Sequence, residues 1–191
     1  MAGADDFRVA LDKLLQKLNR EGLEVKDKQY DTLRSVVVEK KDTVCILLTE
    51  YGKSLIFQLL PLLFEFYTCG RGGNTTQCSV LVISPLNALM VDQISKLKEL
   101  LNVSVIKASR EQTTCTVSLY DQLTQPSKII FAHPEALLED KIVFQTILKS
   151  KEYHLKAIVV DEAHLVIEWL VYMYNIYIIY NYIYVCIYIH H

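Results

Sequence analysis

The chain has no excess of positive charge. Twenty Lys and Arg stand against 22 Asp and Glu, a formal net charge of -2 over 191 residues, so there is no global basic field and any nucleic-acid contact must come from a local patch. It also lacks paired cysteines. Cys45, Cys69, Cys78, Cys115 and Cys186 are odd in number, form no CxxC pair and show no metal-ligand spacing, which excludes a readable zinc site or disulfide framework and points to a reducing compartment. The N-terminal stretch MAGADDFRVALDKLL lacks the basic segment followed by an apolar one that marks a secretory signal, and the expected setting is intracellular. The length suits one good core and no second complete domain of similar size.

What is present is organised around Thr43 to Gln58, TVCILLTEYGKSLIFQ. Val44 to Leu48 is a continuous apolar run, which predicts a strand buried on both faces of a parallel sheet. Gly52-Lys53-Ser54 then opens a helix, where unpaired N–H groups, the Lys53 charge and the Ser54 hydroxyl are suited to a phosphate and Mg²⁺. A bare GKS is weak by itself; the strand before it and the helix after it carry the reading.

Upstream, Phe7, Leu11, Leu14, Leu15 and Leu18 share one face of an amphipathic packing helix within residues 1–24. Tyr30, Leu33, Val36 and Val37 mark a second helix, led by VKDKQY. Gln29 alone reads as a solvated polar residue. Downstream, a helix is expected over Leu55 to Tyr67, broken by CGRGGN, and strands over Ser79 to Ser84, Val103 to Ala108, Lys128 to Ala132 and Leu155 to Val160. Helices are expected over 87–101, 117–123 and 135–149. Strands alternating with helices imply right-handed crossovers and a mainly parallel sheet flanked by helices, with ligands at the carboxyl ends of the strands. Thr49 to Ser54, Ser84-Pro85, His133-Pro134-Glu135 and Asp161 to His164 all fall at such ends.

Asp161 ends an apolar strand, the place from which a carboxylate holds Mg²⁺ against a nucleotide, and Glu162 follows where it would orient or deprotonate a water. His164, taken alone, is more often structural. Together LTEYGKSLIFQLLP, VISPLNALMVDQISKL, FAHPEALLE and VVDEAHLVIEW resemble motifs I, Ia, Ib and II of superfamily 2 helicases, and specifically the RecQ family of DNA helicases, over about Val25 to Trp169. The resemblance implies an incomplete first RecA-like P-loop lobe over 25–169, truncated after the DEAH strand, that uses ATP and Mg²⁺ and moves 3′ to 5′ on DNA. It further implies DNA repair or recombination work in the nucleus.

Carried over by position, the resemblance has Thr49, Glu50, Tyr51, Gly52, Lys53 and Ser54 cradle the phosphates. Lys53 contacts the β- and γ-phosphates, Ser54 and Asp161 hold Mg²⁺, Glu162 activates water and His164 bonds toward the γ-phosphate sensor. Gln29 takes the place of the glutamine that reads adenine. Ser84, Pro85, Leu86, Asn87, Pro134 and Glu135 touch single-stranded DNA.

Two departures stand out. The family pattern is close to PTGxGKS, and Leu48 and Glu50 replace its proline and glycine; a Cβ and a carboxylate beside a triphosphate weaken binding. From Leu170 the sequence reads LVYMYNIYIIYNYIYVCIYIHH, with seven tyrosines and no acidic or basic residue. The aromatic-rich loop, the second helicase lobe and its arginine finger, which the resemblance leads one to expect next, are not in this sequence. The codons of Tyr, Ile and Asn are AT-rich, so translation through an intron or a mispredicted exon is the preferred account of 170–191. The alternatives are a membrane anchor of twenty uncharged residues, which interspersed Tyr and Asn make unattractive, and an extra strand that would be an aggregation hazard if exposed.

Overall fold

The computed structural model describes residues 4–18, 23–48, 51–68, 77–84, 94, 97, 101, 103–106, 127–134, 137, 154–161 and 184–190. Among the described residues, three helices, α1 (Ala4–Lys17), α2 (Asp27–Val37) and α3 (Lys53–Thr68), pack with six strands: β1 (Thr43–Leu47), β2 (Ser79–Ile83), β3 (Val103–Ile106), β4 (Ile129–Ala132), β5 (Leu155–Val160) and β6 (Tyr184–His190). The strands form one sheet in the order β1-β6-β5-β2-β4-β3, and every pairing in it is parallel. The helices expected over 117–123 and for most of 87–101 and 135–149 lie outside the described residues.

The core follows the apolar pattern. β2 and β4 are buried along their whole length, as expected of central strands in a parallel sheet covered on both sides. Phe57 of α3 meets Phe131 of β4 edge to face, with ring centroids 5.8 Å apart and planes at 88°. The expected packing helix is α1: Phe7, Leu11 and Leu15 join the same core as α2 and α3, and the Phe7 ring lies 5.3 Å from Tyr30 and 6.0 Å from Tyr67. Polar ties close the layers. The Ser79 hydroxyl donates to the Ser127 carbonyl at 2.6 Å, and Glu65 of α3 accepts from the Lys128 ammonium and from the Cys78 N–H.

One expectation is corrected. β1 is not buried on both faces: Cys45 and Leu47 are buried, whereas Val44, Ile46 and Leu48 are 59%, 47% and 65% exposed. The cause is position, because β1 ends the strand order and α2 covers only the face that carries Cys45, whose sulfur accepts from the Thr32 hydroxyl at 3.0 Å. The tail contributes a further strand. Its last residues form β6, an interior strand, in parallel register with β1 (Thr43 opposite Cys186 to Leu47 opposite His190) and with β5 (Ala157 opposite Tyr184 to Val160 opposite Ile187). The extra-strand reading therefore describes 184–190, a strand paired along both edges. Among the described residues, no helix is long and apolar enough to cross a membrane.

Candidate nucleotide and nucleic-acid site

The loop between β1 and α3 is built by its backbone. The Tyr51 N–H donates to the Leu48 carbonyl at 3.2 Å and the Leu55 N–H to the Gly52 carbonyl at 3.1 Å, so the chain turns sharply and α3 begins at Lys53. Gly52 has φ +92°, a conformation that side chains with a Cβ resist. Lys53 and Ser54 thus occupy the first turn of a 16-residue helix, where N–H groups lack intrahelical partners and the helix end is electropositive. Thr49 and Glu50 lie outside the described residues.

Gln29 is not the solvated residue that its sequence context suggests. It is 2% exposed and sits in the first turn of α2 against the phosphate loop. Its Oε1 accepts from the Lys26 N–H at 2.9 Å, and its Nε2 donates to the carbonyls of Tyr51 at 3.0 Å and Gly52 at 2.9 Å. The Lys26 ammonium stands over the Tyr51 ring, 4.4 Å from its centroid.

The remaining clusters meet across the middle of the sheet. Ile83 is in register with Val160 of β5 and with Ala132 of β4, so the next residues, Asp161, Ser84 and His133, stand abreast at the carboxyl edge. Backbone bonds lock this row: the Asp161 N–H donates to the Ile83 carbonyl at 2.8 Å and the Ser84 N–H to the Ala132 carbonyl at 3.2 Å. All three side chains are buried. Pro134 follows in helical conformation, and the Leu137 N–H donates to the His133 carbonyl at 3.4 Å. Sequence reasoning places His133 at a strand end but assigns it no role; it is buried in this row, and among the described residues its Nε2 has no hydrogen-bond partner. Pro85, Leu86, Asn87, Glu135, Glu162 and His164 lie outside the described residues.

Only β6 separates the phosphate-loop strand from the strand that delivers Asp161. Two strand spacings are about 10 Å, a gap that a triphosphate with its cation can bridge. The donor set suits Mg²⁺, a hard cation that takes oxygen ligands and keeps several waters: a hydroxyl, Ser54, on one side and a buried carboxylate, Asp161, on the other. A groove of about 420 Å³ lies elsewhere, beside β1, lined by residues that include Lys28, Asp31, Ser35 and Cys45. Burial pushes the Cys45 thiol pKa up, with the Thr32 hydroxyl and the Lys28 charge opposing that shift.

Comparison with known proteins gives this geometry a context. Residues 26–184 match the family model described as DEAD/DEAH box helicase. The ATP-dependent DNA helicase RecQ of Synechocystis is 31% identical over 139 residues, covering 70% of this chain and 25% of that protein. The ATP-dependent DNA helicase RecQ of Bacillus subtilis is 32% identical over 142 residues, 74% of this chain and 21% of its own length. The mouse bifunctional 3′-5′ exonuclease/ATP-dependent helicase WRN is 34% identical over 141 residues, 74% of this chain and 9% of its own. The chain therefore spans a quarter or less of the length of these relatives. Among solved structures, the DUF1998 helicase MrfA superposes with a TM-score of 0.61 at 19% identity, covering 99% of this chain and 30% of that one. The UvsW helicase of bacteriophage T4 gives 0.58 at 18% identity, covering 97% and 60%. These superpositions show the RecA-like fold. With the fold, the motif order and the family match in agreement, the chain belongs to the DEAD/DEAH box helicase family, and its sequence relatives include the RecQ DNA helicases.

Proposed function

We propose that this chain is the ATP-binding lobe of a RecQ-like 3′–5′ DNA helicase, which couples Mg-ATP hydrolysis to movement on single-stranded DNA and binds nucleotide without unwinding DNA when alone. The observation that carries this reading is the row Asp161, Ser84, His133 at the carboxyl edge, set in register by β2, β4 and β5, with only β6 between the Asp161 strand and the phosphate-loop strand. Lys53 neutralises the β- and γ-phosphates while the first turn of α3 presents its N–H groups. Ser54 and Asp161 would hold Mg²⁺, which when bound screens the phosphate charge and polarises the transferred phosphoryl group. Glu162 orients the attacking water and accepts its proton, and His164 bonds toward the group that senses the γ-phosphate.

Ser84 to Asn87 and Pro134-Glu135 contact the backbone of single-stranded or duplex DNA through hydroxyl and main-chain groups, a sequence-blind mode suited to a motor. Because Asp161 and Ser84 are neighbours, nucleotide and DNA act on one rigid row. A phosphoryl-transfer site of this kind is completed by an arginine from a second lobe, so the 191 residues by themselves give no unwinding and little DNA-stimulated hydrolysis. The nucleus, with work in DNA repair or recombination, is the proposed setting of the full motor and rests on the family resemblance.

Titration with a ribose-labelled fluorescent ATP analogue tests the assignment. Lys53→Ala is expected to weaken binding by tenfold or more, and equal affinity of the two proteins would remove the site. A second reading, a nucleotide-binding or interaction fragment without catalysis, is favoured by one observation: Glu50 stands where the family pattern has glycine. Restoring Glu50→Gly is expected to tighten ATP by about 1 to 3 kcal/mol, roughly 5- to 150-fold, from relief of backbone strain and like-charge repulsion. Hydrolysis assayed on the same two variants separates the readings, since a binding fragment gains affinity but no turnover.

A further inference from the structure

Gln29 is the residue whose structure departs most from its expected role. An amide that reads adenine needs one donor and one acceptor free on the same edge, to meet N6 and N7 together. A glutamine amide has two N–H donors and one carbonyl oxygen. Here Nε2 faces two loop carbonyls, those of Tyr51 and Gly52, at 3.0 and 2.9 Å, and Oε1 receives the Lys26 N–H at 2.9 Å. The orientation of the amide is fixed by this network, because two carbonyls on one side and an N–H on the other admit only one assignment. Both donors are in use, and the group is 2% exposed.

Gly52 completes the arrangement. A Cβ on Gly52 would lie 2.7 Å from Gln29 Nε2, so the absence of a side chain there is what lets the amide approach the loop, in addition to the positive φ. The Lys26 ammonium over the Tyr51 ring ties the same two segments a second time. The start of α2 thus grips the tip of the phosphate loop, 22 and 23 residues away in sequence. Releasing Gln29 to face a base would strip two carbonyls of their donor, a loss that base recognition would have to outweigh.

We infer that Gln29 in this chain is a positioning residue that holds the phosphate loop in shape and does not read the base, so that the site takes Mg-nucleoside triphosphates on their phosphates with little preference for adenine. This rests on the proposed nucleotide binding and narrows it to a ligand class. The variant Gln29→Glu is isosteric and turns both donors toward the loop into acceptors; Lys26→Ala removes only the exposed contact with Tyr51.

The test measures binding of ribose-labelled ATP and GTP analogues with Mg²⁺ to the full 191-residue chain, together with amide hydrogen exchange of the Tyr51–Ser54 segment without nucleotide. In the wild type, ATP and GTP are expected to bind within about threefold of each other. Gln29→Glu is expected to weaken both by the same factor, about tenfold, and to speed exchange in the loop; Lys26→Ala is expected to do both to a lesser degree. The inference is overturned if the wild type prefers ATP by tenfold or more and Gln29→Glu abolishes that preference with loop exchange unchanged. Absence of binding to either analogue would refute the proposed function; loop exchange then decides on Gln29, and identical rates in wild type and Gln29→Glu would overturn its positioning role.

Discussion

A chain shortened to residues 1–183 is expected to show no cooperative thermal unfolding by circular dichroism and to collect in the aggregated fraction. β6 is bonded to β1 on one side and β5 on the other, across five and four residue pairs. Without it, β1 would stand two spacings from β5, about 10 Å, too far for a ladder. The backbone groups of β1 and β5 that β6 satisfies would then lack partners, at about 1 to 3 kcal/mol for each one that stays buried. Several such losses together are comparable with the roughly 5 to 15 kcal/mol that holds a typical domain folded. Ile187→Pro asks the same question with length preserved, since proline removes a ladder N–H and is not accommodated in a strand paired on both sides. Unfolding of either variant at the wild-type midpoint would show that the tail is dispensable.

Phe131→Ala is expected to lower the free energy of unfolding by about 3 to 5 kcal/mol, the usual cost of emptying a buried phenylalanine site. Phe131 is fully buried on a strand paired on both sides, and its edge contact with Phe57 is lost with the ring. The rigid sheet cannot close around the cavity, which places the effect toward the upper part of the range. Urea titration gives the number, with Phe66→Ala as the control, because Phe66 is 49% exposed and its loss should fall within about 0.5 kcal/mol. Equal midpoints for wild type and Phe131→Ala would contradict the packing described.

Both predictions depend on strand neighbours, which was the level at which sequence reasoning stopped. The apolar runs SVLVI and IIFA appear as β2 and β4, buried throughout, and LKAIVV appears as β5, because a run of β-branched residues between turn signals has few other stable states. The placement of Ser84, His133-Pro134 and Asp161 at strand ends was equally readable. What could not be read was that β1 would end the sheet. The run VCILL is apolar throughout, and only the tertiary structure shows that β1 stands at an edge with Val44, Ile46 and Leu48 exposed.

The phosphate loop shows the same division. From sequence, Gly52-Lys53-Ser54 after an apolar run determined a strand-loop-helix unit, since local backbone preferences and the unpaired N–H groups of a helix start are properties of neighbouring residues. Sequence also determined the family, because motif order survives along the chain. The tertiary structure alone decided that Gln29 would be buried against Tyr51 and Gly52, that Asp161, Ser84 and His133 would stand in a row, and that a tail of unusual composition would supply an interior strand. Each of these depends on residues far apart in the chain meeting at a fixed distance, and no local preference encodes which strand becomes the neighbour of which.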